Sequence, residues 1–504
     1  MESVARHELV PDVSFDGGDL DCGGGLLLLI RRHIDPIRKG GLLEIRSTES
    51  SVEEDLPAWC RLTGNELISW TKQGRQRSYL VCKGSLAERA QAGSAAAQPA
   101  VKRIIVPVTI PERLPEPAPV PDIEPLSVMG IGSWPRPRWM LRAIHERLEG
   151  RLPDEEFQAA ADDAVRLAVE GQLRAGVDIV SDGEQRRDSY ASFVGGLLDN
   201  CQLIPLTDLT AMVDDPEEFE KELRALDVPA AEVRHPVVYG PLGRSRPLAV
   251  HEFGFVKKIS SKPVKVALPG PYLLTRTMWM DCLTDRPYES REDLAVDVVR
   301  VLREELHYLL AAGVALVQFD EPVLTEVVFT GARSQRSFMC GALSEKKPAD
   351  EELDFAADLI NQVAAGSPAS RTAIHICRGN WTRDESAVLA GDFRPLMGLL
   401  RRVQVGTLFL ELCTPRAGEM EVLKGLPEDR RIGVGVVNQK SETIETVEEI
   451  VERGKRAMRI FGKERVLLTP DCGFATFADN PVTSSEVAEA KLRAIAQARD
   501  ILRD

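Results

Sequence analysis

From residue 127 onward, short runs of apolar and β-branched residues alternate with longer segments whose apolar positions recur at i, i+3, i+4 and i+7. The first pattern predicts buried strands and the second amphipathic helices, and their ordered alternation predicts βα units around a parallel sheet. Eight strand-like runs stand out: SVMGIGS (127–133), GVDIVSD (176–182), VKVALPG (264–270), VALVQFDEP (314–322), TAIHICRG (372–379), TLFLELC (407–413), RIGVGVVN (431–438) and RVLLTPDCG (465–473). Between them lie helical stretches such as FQAAADDAVRLAVEGQLRAG and SSEVAEAKLRAIAQARDILR. Eight such units predict an α/β protein with a (β/α)8 TIM barrel.

Ahead of the barrel the pattern breaks. The stretch at 87–126 runs through AERAQAGSAAAQPA and PERLPEPAPVPDIEP, which supply no core and read as a linker, stiff where proline dominates. The expected organisation is therefore a small unit at 1–86, a linker at 87–126 and the barrel at 127–504.

Composition narrows the classes of partner. Hydrophobic residues make up 43% and charged residues 28%, the balance of a soluble globular chain. A net charge of −15 argues against nucleic acid and anionic membrane surfaces, which attract basic patches. The apolar run Leu26–Ile30 is too short to span a bilayer and the acidic opening is unlike a signal peptide, so a cytoplasmic location is expected. The nine cysteines (22, 60, 82, 201, 282, 340, 377, 413, 472) are scattered and odd in number, unlike a disulfide framework. Reduced, buried thiols are the default reading for each.

The strand-like runs end in or just before residues that make poor strands but useful chemistry: Ser133, Glu184, Asp320, His375 with Cys377, Glu411, Lys440 and Cys472. Barrel enzymes build their sites at these C-terminal strand ends. His375 and Cys377, two apart on a predicted strand, point to one face, and Cys472 ends the last strand. Such a pair is otherwise an ordinary piece of core; a third soft ligand on the same rim favours a metal, and thiolate with imidazole favours zinc. The fourth position stays open, because Glu411 and Cys413 also lie two apart. A carboxylate is displaced more easily than a thiolate, so Glu411 in that place is expected to yield when a substrate sulfur arrives. A zinc ion so ligated keeps an incoming thiol nucleophilic at neutral pH.

Six motifs in order, GIGSWPRP (130–137), DIVSDGEQRRDSY (178–190), QFDEP (318–322), HICRGN (375–380), LELCTPRAGEMEVL (410–423) and TPDCGFAT (469–476), resemble the catalytic barrel of the cobalamin-independent methionine synthase family, in its short single-barrel branch. The resemblance spans 127–504. It implies Zn2+ held by His375, Cys377, Glu411 and Cys472. It also implies that the backbone of Ile131, Gly132 and Ser133, with the carboxylates of Glu184 and Asp320, holds the amino-acid part of homocysteine. A methylated folate such as methyltetrahydrofolate is the implied donor; Trp279, at the end of PGPYLLTRTMW, is a candidate to stack on a pterin, with a core or rim aromatic as the default reading. Asp320 and Lys440 are read as catalytic side chains, although Lys440 stands where the long enzymes have a histidine that handles protons. That departure keeps a rival in play, a zinc-dependent alkyl transferase acting on another thiol such as sulfide or another electrophile such as an epoxide. A non-catalytic sulfur-carrier scaffold is the alternative of a different class.

The N-terminal segments LDCGGGLLLLIRRHI (20–34), GGLLEIRSTESSVEEDLPAWCRLTGNELIS (40–69) and SYLVCKG (78–84) resemble the sulfur-carrier (TusA-like) sulfurtransferases. That resemblance implies a small α+β fold and a sulfur-relay protein as partner. The family's Cys-Pro pair, which opens the first helix and lowers the thiol there, is missing, since Cys22 is followed by three glycines. Cys22 and Cys60 are accordingly expected to be structural.

Overall fold

The computed structural model describes residues 4, 6–20, 26–92, 113–148, 150–205, 234–279, 287–329, 347–380, 382–385, 388–478 and 481–504. Near the N-terminus, β1 (Val13–Asp16), β2 (Leu42–Ser47), β3 (Glu66–Gln73) and β4 (Gln76–Cys82) form a sheet in the order β1-β2-β4-β3. The first two strands are parallel and the remaining pairs antiparallel. Helices α1 (Leu27–Ile34) and α2 (Val52–Leu62) turn Ile30, Ile34, Leu56 and Trp59 onto Ile45 and Tyr79 to make a small core. Cys60 is buried in α2, and desolvation pushes its thiol up to about 12. Cys22, Cys282 and Cys340 lie outside the described residues.

This core is shared with the rest of the chain. A hairpin of β5 (Asp199–Pro205) and β6 (Arg234–Gly243) contributes Ile204 and Val237 to it, and Phe477 joins from far along the sequence. Polar contacts accompany the packing: Gln202 Nε2 donates to Arg31 O (3.1 Å) and Asp35 Oδ2 (2.6 Å), and the Arg32 guanidinium sits 5.4 Å from the Tyr239 ring centre.

The large sheet runs in chain order through β7 (Lys265–Pro269), β8 (Leu316–Asp320), β9 (Thr372–Ile376), β10 (Thr407–Leu410), β11 (Arg431–Val437) and β12 (Val466–Pro470), all parallel. Single bridges complete the ring: Val128 with Leu468, Met129 with Ile179, and Val180 with Val264. All eight strand-like runs are thus found in a closed barrel-type sheet, the first two shortened to bridges. The lumen is filled by Met129, Ile131, Ile179, Leu316, Ala373, Phe409 and Leu467. A much larger apolar layer packs the outer strand faces against helices such as Asp154–Ala175, Arg291–Ala312 and Ser485–Arg503. Among the described residues no helix is long and apolar enough to cross a membrane.

The Pro-rich stretch read as a stiff spacer is strapped down where it is described. Ala118 N donates to Leu310 O (3.0 Å), Arg371 binds the Ala118 carbonyl, and Ile123 packs against the lumen cluster. Prolines offer no N–H, so between them the Ala118 N–H and the chain's carbonyls do the fastening.

Candidate metal and acceptor site

Strand register assembles the polar residues at one end of the ring. Asp320, the last residue of β8, pairs with His375 in β9, which has Phe409 of β10 on its other side. Alternation along the strand gives His375 and Cys377 a common face, and Cys472 meets them from the turn after β12. Their ligand atoms lie within 4.8 Å of one another, and all three side chains are buried. The hydrogen bond from Cys472 holds the Cys377 thiol low, helped by His375, while that bond and burial push Cys472 up. One thiolate therefore forms readily and the second needs a cation beside it, which is the donor chemistry of a zinc site.

The second ligand shell is equally ordered. The Asp320 carboxylate faces His375 Nδ1 at 3.1 Å. A carboxylate only accepts, so Nδ1 carries a proton, and Nε2 faces the Asp471 carbonyl at 3.4 Å, a long contact that a metal on Nε2 would replace. The Asp471 carboxylate accepts Leu412 N (2.8 Å) and Cys413 N (2.9 Å), stitching the end of β10 to the turn that carries Cys472. β11 lies between them, and a Cβ at Gly435 would run into that carboxylate. Asn380 clamps the same turn, with Nδ2 donating to Gly473 O (2.8 Å) and Thr476 Oγ1 (2.7 Å).

A single cavity is lined by the three ligands together with Ile131, Gly132, Ser133, Glu184 and Asp320. The residues singled out in the sequence as acceptor-binding groups thus share a wall with the metal ligands. Ser133 Oγ also accepts from Ala475 N (3.2 Å), fixing the first strand end to the last loop. Glu184 takes a positive φ of 56° and is buried, which pushes its carboxyl up to about 7. A Cβ on Gly132 would collide with Glu184 Oε1. Gly132→Ala is therefore expected to leave the fold intact and the metal bound while raising the acceptor KM about tenfold, since it turns aside one charged hydrogen-bond partner. Steady-state kinetics with metal analysis checks this.

Three expected residues stand apart from the cavity wall. Glu411 is held by Arg416, 2.6 Å from Oε1, and by Arg378 N, 2.6 Å from Oε2, so it lies outside the three-residue group while its charge still reaches Cys377 and Cys472. Lys440 is buried and donates to Thr382 O (2.8 Å), and desolvation lowers it to about 8. Trp279 is buried in the large apolar layer outside the strands, the setting of a packing residue. Cys413, the other candidate for the fourth position, has its thiol pushed up by burial.

Several residues of the site were not singled out in the sequence. Tyr190, Asn380 and Thr476 line the cavity, and Lys265 and Gln318 lie buried beneath it. Burial lowers Lys265 to about 7, and its ammonium sits 4.6 Å from the Phe409 ring centre. A lone lysine in VKVALPG and a lone glutamine in VALVQFDEP were the available signals, polar residues inside otherwise apolar strands.

Residues 126–497 match the family described as "Cobalamin-independent synthase, Catalytic domain". The methionine synthase of Saccharolobus solfataricus is 25% identical over 375 residues, covering 74% of this chain and 94% of the relative. The methionine synthase of Sulfurisphaera tokodaii is 28% identical over 344 residues, covering 68% and 84%. Among solved structures, a B12-independent methionine synthase from Shewanella sp. W3-18-1 in complex with selenomethionine is 25% identical. It superimposes with a TM-score of 0.56, covering 75% of this chain and 98% of that one.

Proposed function

As the chain belongs to the cobalamin-independent synthase catalytic-domain family, we propose that it transfers a methyl group to the sulfur of homocysteine, making methionine, with zinc held by His375, Cys377 and Cys472. The observation that carries this reading is one cavity walled by both the three soft ligands and the Ile131–Ser133, Glu184 and Asp320 set. When bound there, zinc supplies the Lewis acidity that keeps the acceptor sulfur as thiolate at neutral pH. Glu411 is the fourth ligand in this reading, its carboxylate shared between the metal and Arg416. Glu184 and Asp320 hold the acceptor's ammonium, and the 131–133 backbone holds the rest of its amino-acid head. Lys440 contributes positive charge beside the thiolates, and a methylated folate is the donor. The order of strands and helices within 13–82 supports reading residues 1–86 as a sulfur-carrier-like unit, joined through 87–126 to the barrel at 127–504. The pairing of Cys377 and Cys472 in one ligand group requires them as thiolates, which suits a reducing, cytoplasmic setting.

The test is to incubate zinc-loaded protein with homocysteine and methylated folates, with sulfide and simple alkyl thiols in parallel, and to identify products by mass spectrometry. Methionine is expected. Methylation of sulfide or alkyl thiols alone would overturn the reading.

The acidity of Glu184 sets a pH dependence. Below about 7 the empty site holds this carboxyl protonated, and above it the carboxylate is ready for an ammonium. The homocysteine KM is therefore expected to fall as pH rises through about 7, and Glu184→Gln to flatten that limb. For stability the sign is opposite. The folded chain holds this proton more tightly than the unfolded one, so the contribution of Glu184 declines between 4.5 and about 7.

A further inference from the structure

Beneath the cavity, a row of buried hydrogen bonds crosses three strands. Lys265 Nζ in β7 donates to Gln318 Oε1 in β8 (2.6 Å) and to Ile131 O (2.6 Å). Gln318 Nε2 donates to Asp320 Oδ1 (2.7 Å), and the same oxygen faces His375 Nδ1 (3.1 Å). Lys265 is 1% exposed and Gln318 fully enclosed, so water does not substitute for the link between them.

The direction of the row follows from chemistry. A carboxylate only accepts, so the NH2 of Gln318 must face Asp320 and its amide oxygen must face Lys265, which donates as amine or as ammonium. Asp320 Oδ1 then receives a proton from each side, which keeps the carboxylate an acceptor and leaves the His375 proton on Nδ1. We infer that Lys265 and Gln318 are positioning residues that act through Asp320 to set the orientation and tautomer of His375, and that Lys265 ties this metal ligand to the Ile131 carbonyl at the acceptor end of the cavity. One buried lysine thereby roots two branches, one ending at the metal and one at the substrate. Outer-shell partners of a metal-bound histidine commonly change metal affinity by 10–100-fold when removed. The row reaches one step further out than such a partner, and its enclosure in the lumen is what transmits the effect.

This inference rests on the zinc reading, and the experiment separates the two. Full-length parent, Gln318→Met, Gln318→Glu and Lys265→Met are compared for zinc affinity by chelator competition, for the absorption spectrum of the cobalt-substituted site, and for kcat and KM with homocysteine. Gln318→Met removes both links at similar volume. Gln318→Glu keeps the shape and adds a partner for Lys265 but removes the donor to Asp320. Both are expected to lower zinc affinity about tenfold or more and to alter the cobalt spectrum. Lys265→Met is expected to change zinc affinity and KM together, because it cuts both branches. A folded Gln318→Glu protein with parental zinc affinity and an unchanged cobalt spectrum would overturn the inference. A parent protein that binds no zinc would instead overturn the reading on which it rests.

Discussion

Changing Cys472 to Ser is expected to strip the purified protein of nearly all its zinc, whereas Cys413→Ser retains about one zinc per chain. The structure separates these two cysteines, which follow β10 and β12 on either side of β11. Cys472 is within 4.8 Å of the ligand atoms of His375 and Cys377, while Cys413 is absent from that group. Losing a direct thiolate ligand should cost more than the 10–100-fold that removal of outer-shell partners commonly costs. A loss of affinity beyond about a hundredfold follows, with methyl transfer lost in proportion. Cys377→Ser should behave like Cys472→Ser, and Cys201→Ser, in β5 and outside the cavity wall, should not. Metal analysis after exhaustive dialysis decides it: equal zinc in all four variants would remove the site.

The second large effect distinguishes the two acidic residues of the cavity. On sequence grounds both bind the acceptor and neither touches the metal. The structure gives Asp320 a second task, because its carboxylate also holds His375 Nδ1. Asp320→Asn should therefore raise the homocysteine KM about tenfold to a hundredfold, the loss of one charge-assisted hydrogen bond of about 1.5–3 kcal/mol. It should also weaken zinc about tenfold or more, since an amide can present its NH2 to Nδ1. Glu184→Gln should raise KM similarly while leaving zinc in place. A thiol without an amino group, assayed beside homocysteine, provides the control, and its KM should hardly move in Glu184→Gln. Identical homocysteine kinetics in parent and both variants would leave no role for these carboxylates in binding an ammonium.

Much of the barrel was legible because parallel strands buried on both faces are written as short apolar runs. The first two runs were legible as strands yet survive only as bridges at Val128, Met129, Ile179 and Val180. Their ends are given over to the cavity loops, where Gly132 and the positive-φ Glu184 fit side chains rather than a ladder. The metal ligands were legible for a related reason, since polar residues at strand ends stand out against apolar runs. Glu411 could not be separated from Cys413 by spacing, because a two-residue step preserves the face and carries no distance. Its pairing with Arg416 was equally hidden, as that arginine arrives from a short turn beyond the strand. Lys265 and Gln318 were missed because each is one polar residue in an apolar strand, and only the assembled lumen reveals that they face each other. The packing of Ile204, Val237 and Phe477 into the N-terminal core is likewise invisible to local pattern, since each is an ordinary apolar residue in its own segment.

That shared core bears on how the chain can be divided. Phe477 lies five residues beyond Cys472, bridges Ser189 and belongs to the same buried cluster as the N-terminal helices' apolar residues. A gene cut within 87–126 would release two products, each with a greasy scar where the other had been. The barrel half would present Ile204, Val237 and Phe477 to water beside a two-stranded hairpin with little intrinsic stability of its own. Such fragments are expected to self-associate through these faces, which size-exclusion chromatography of the two pieces, expressed apart, would show.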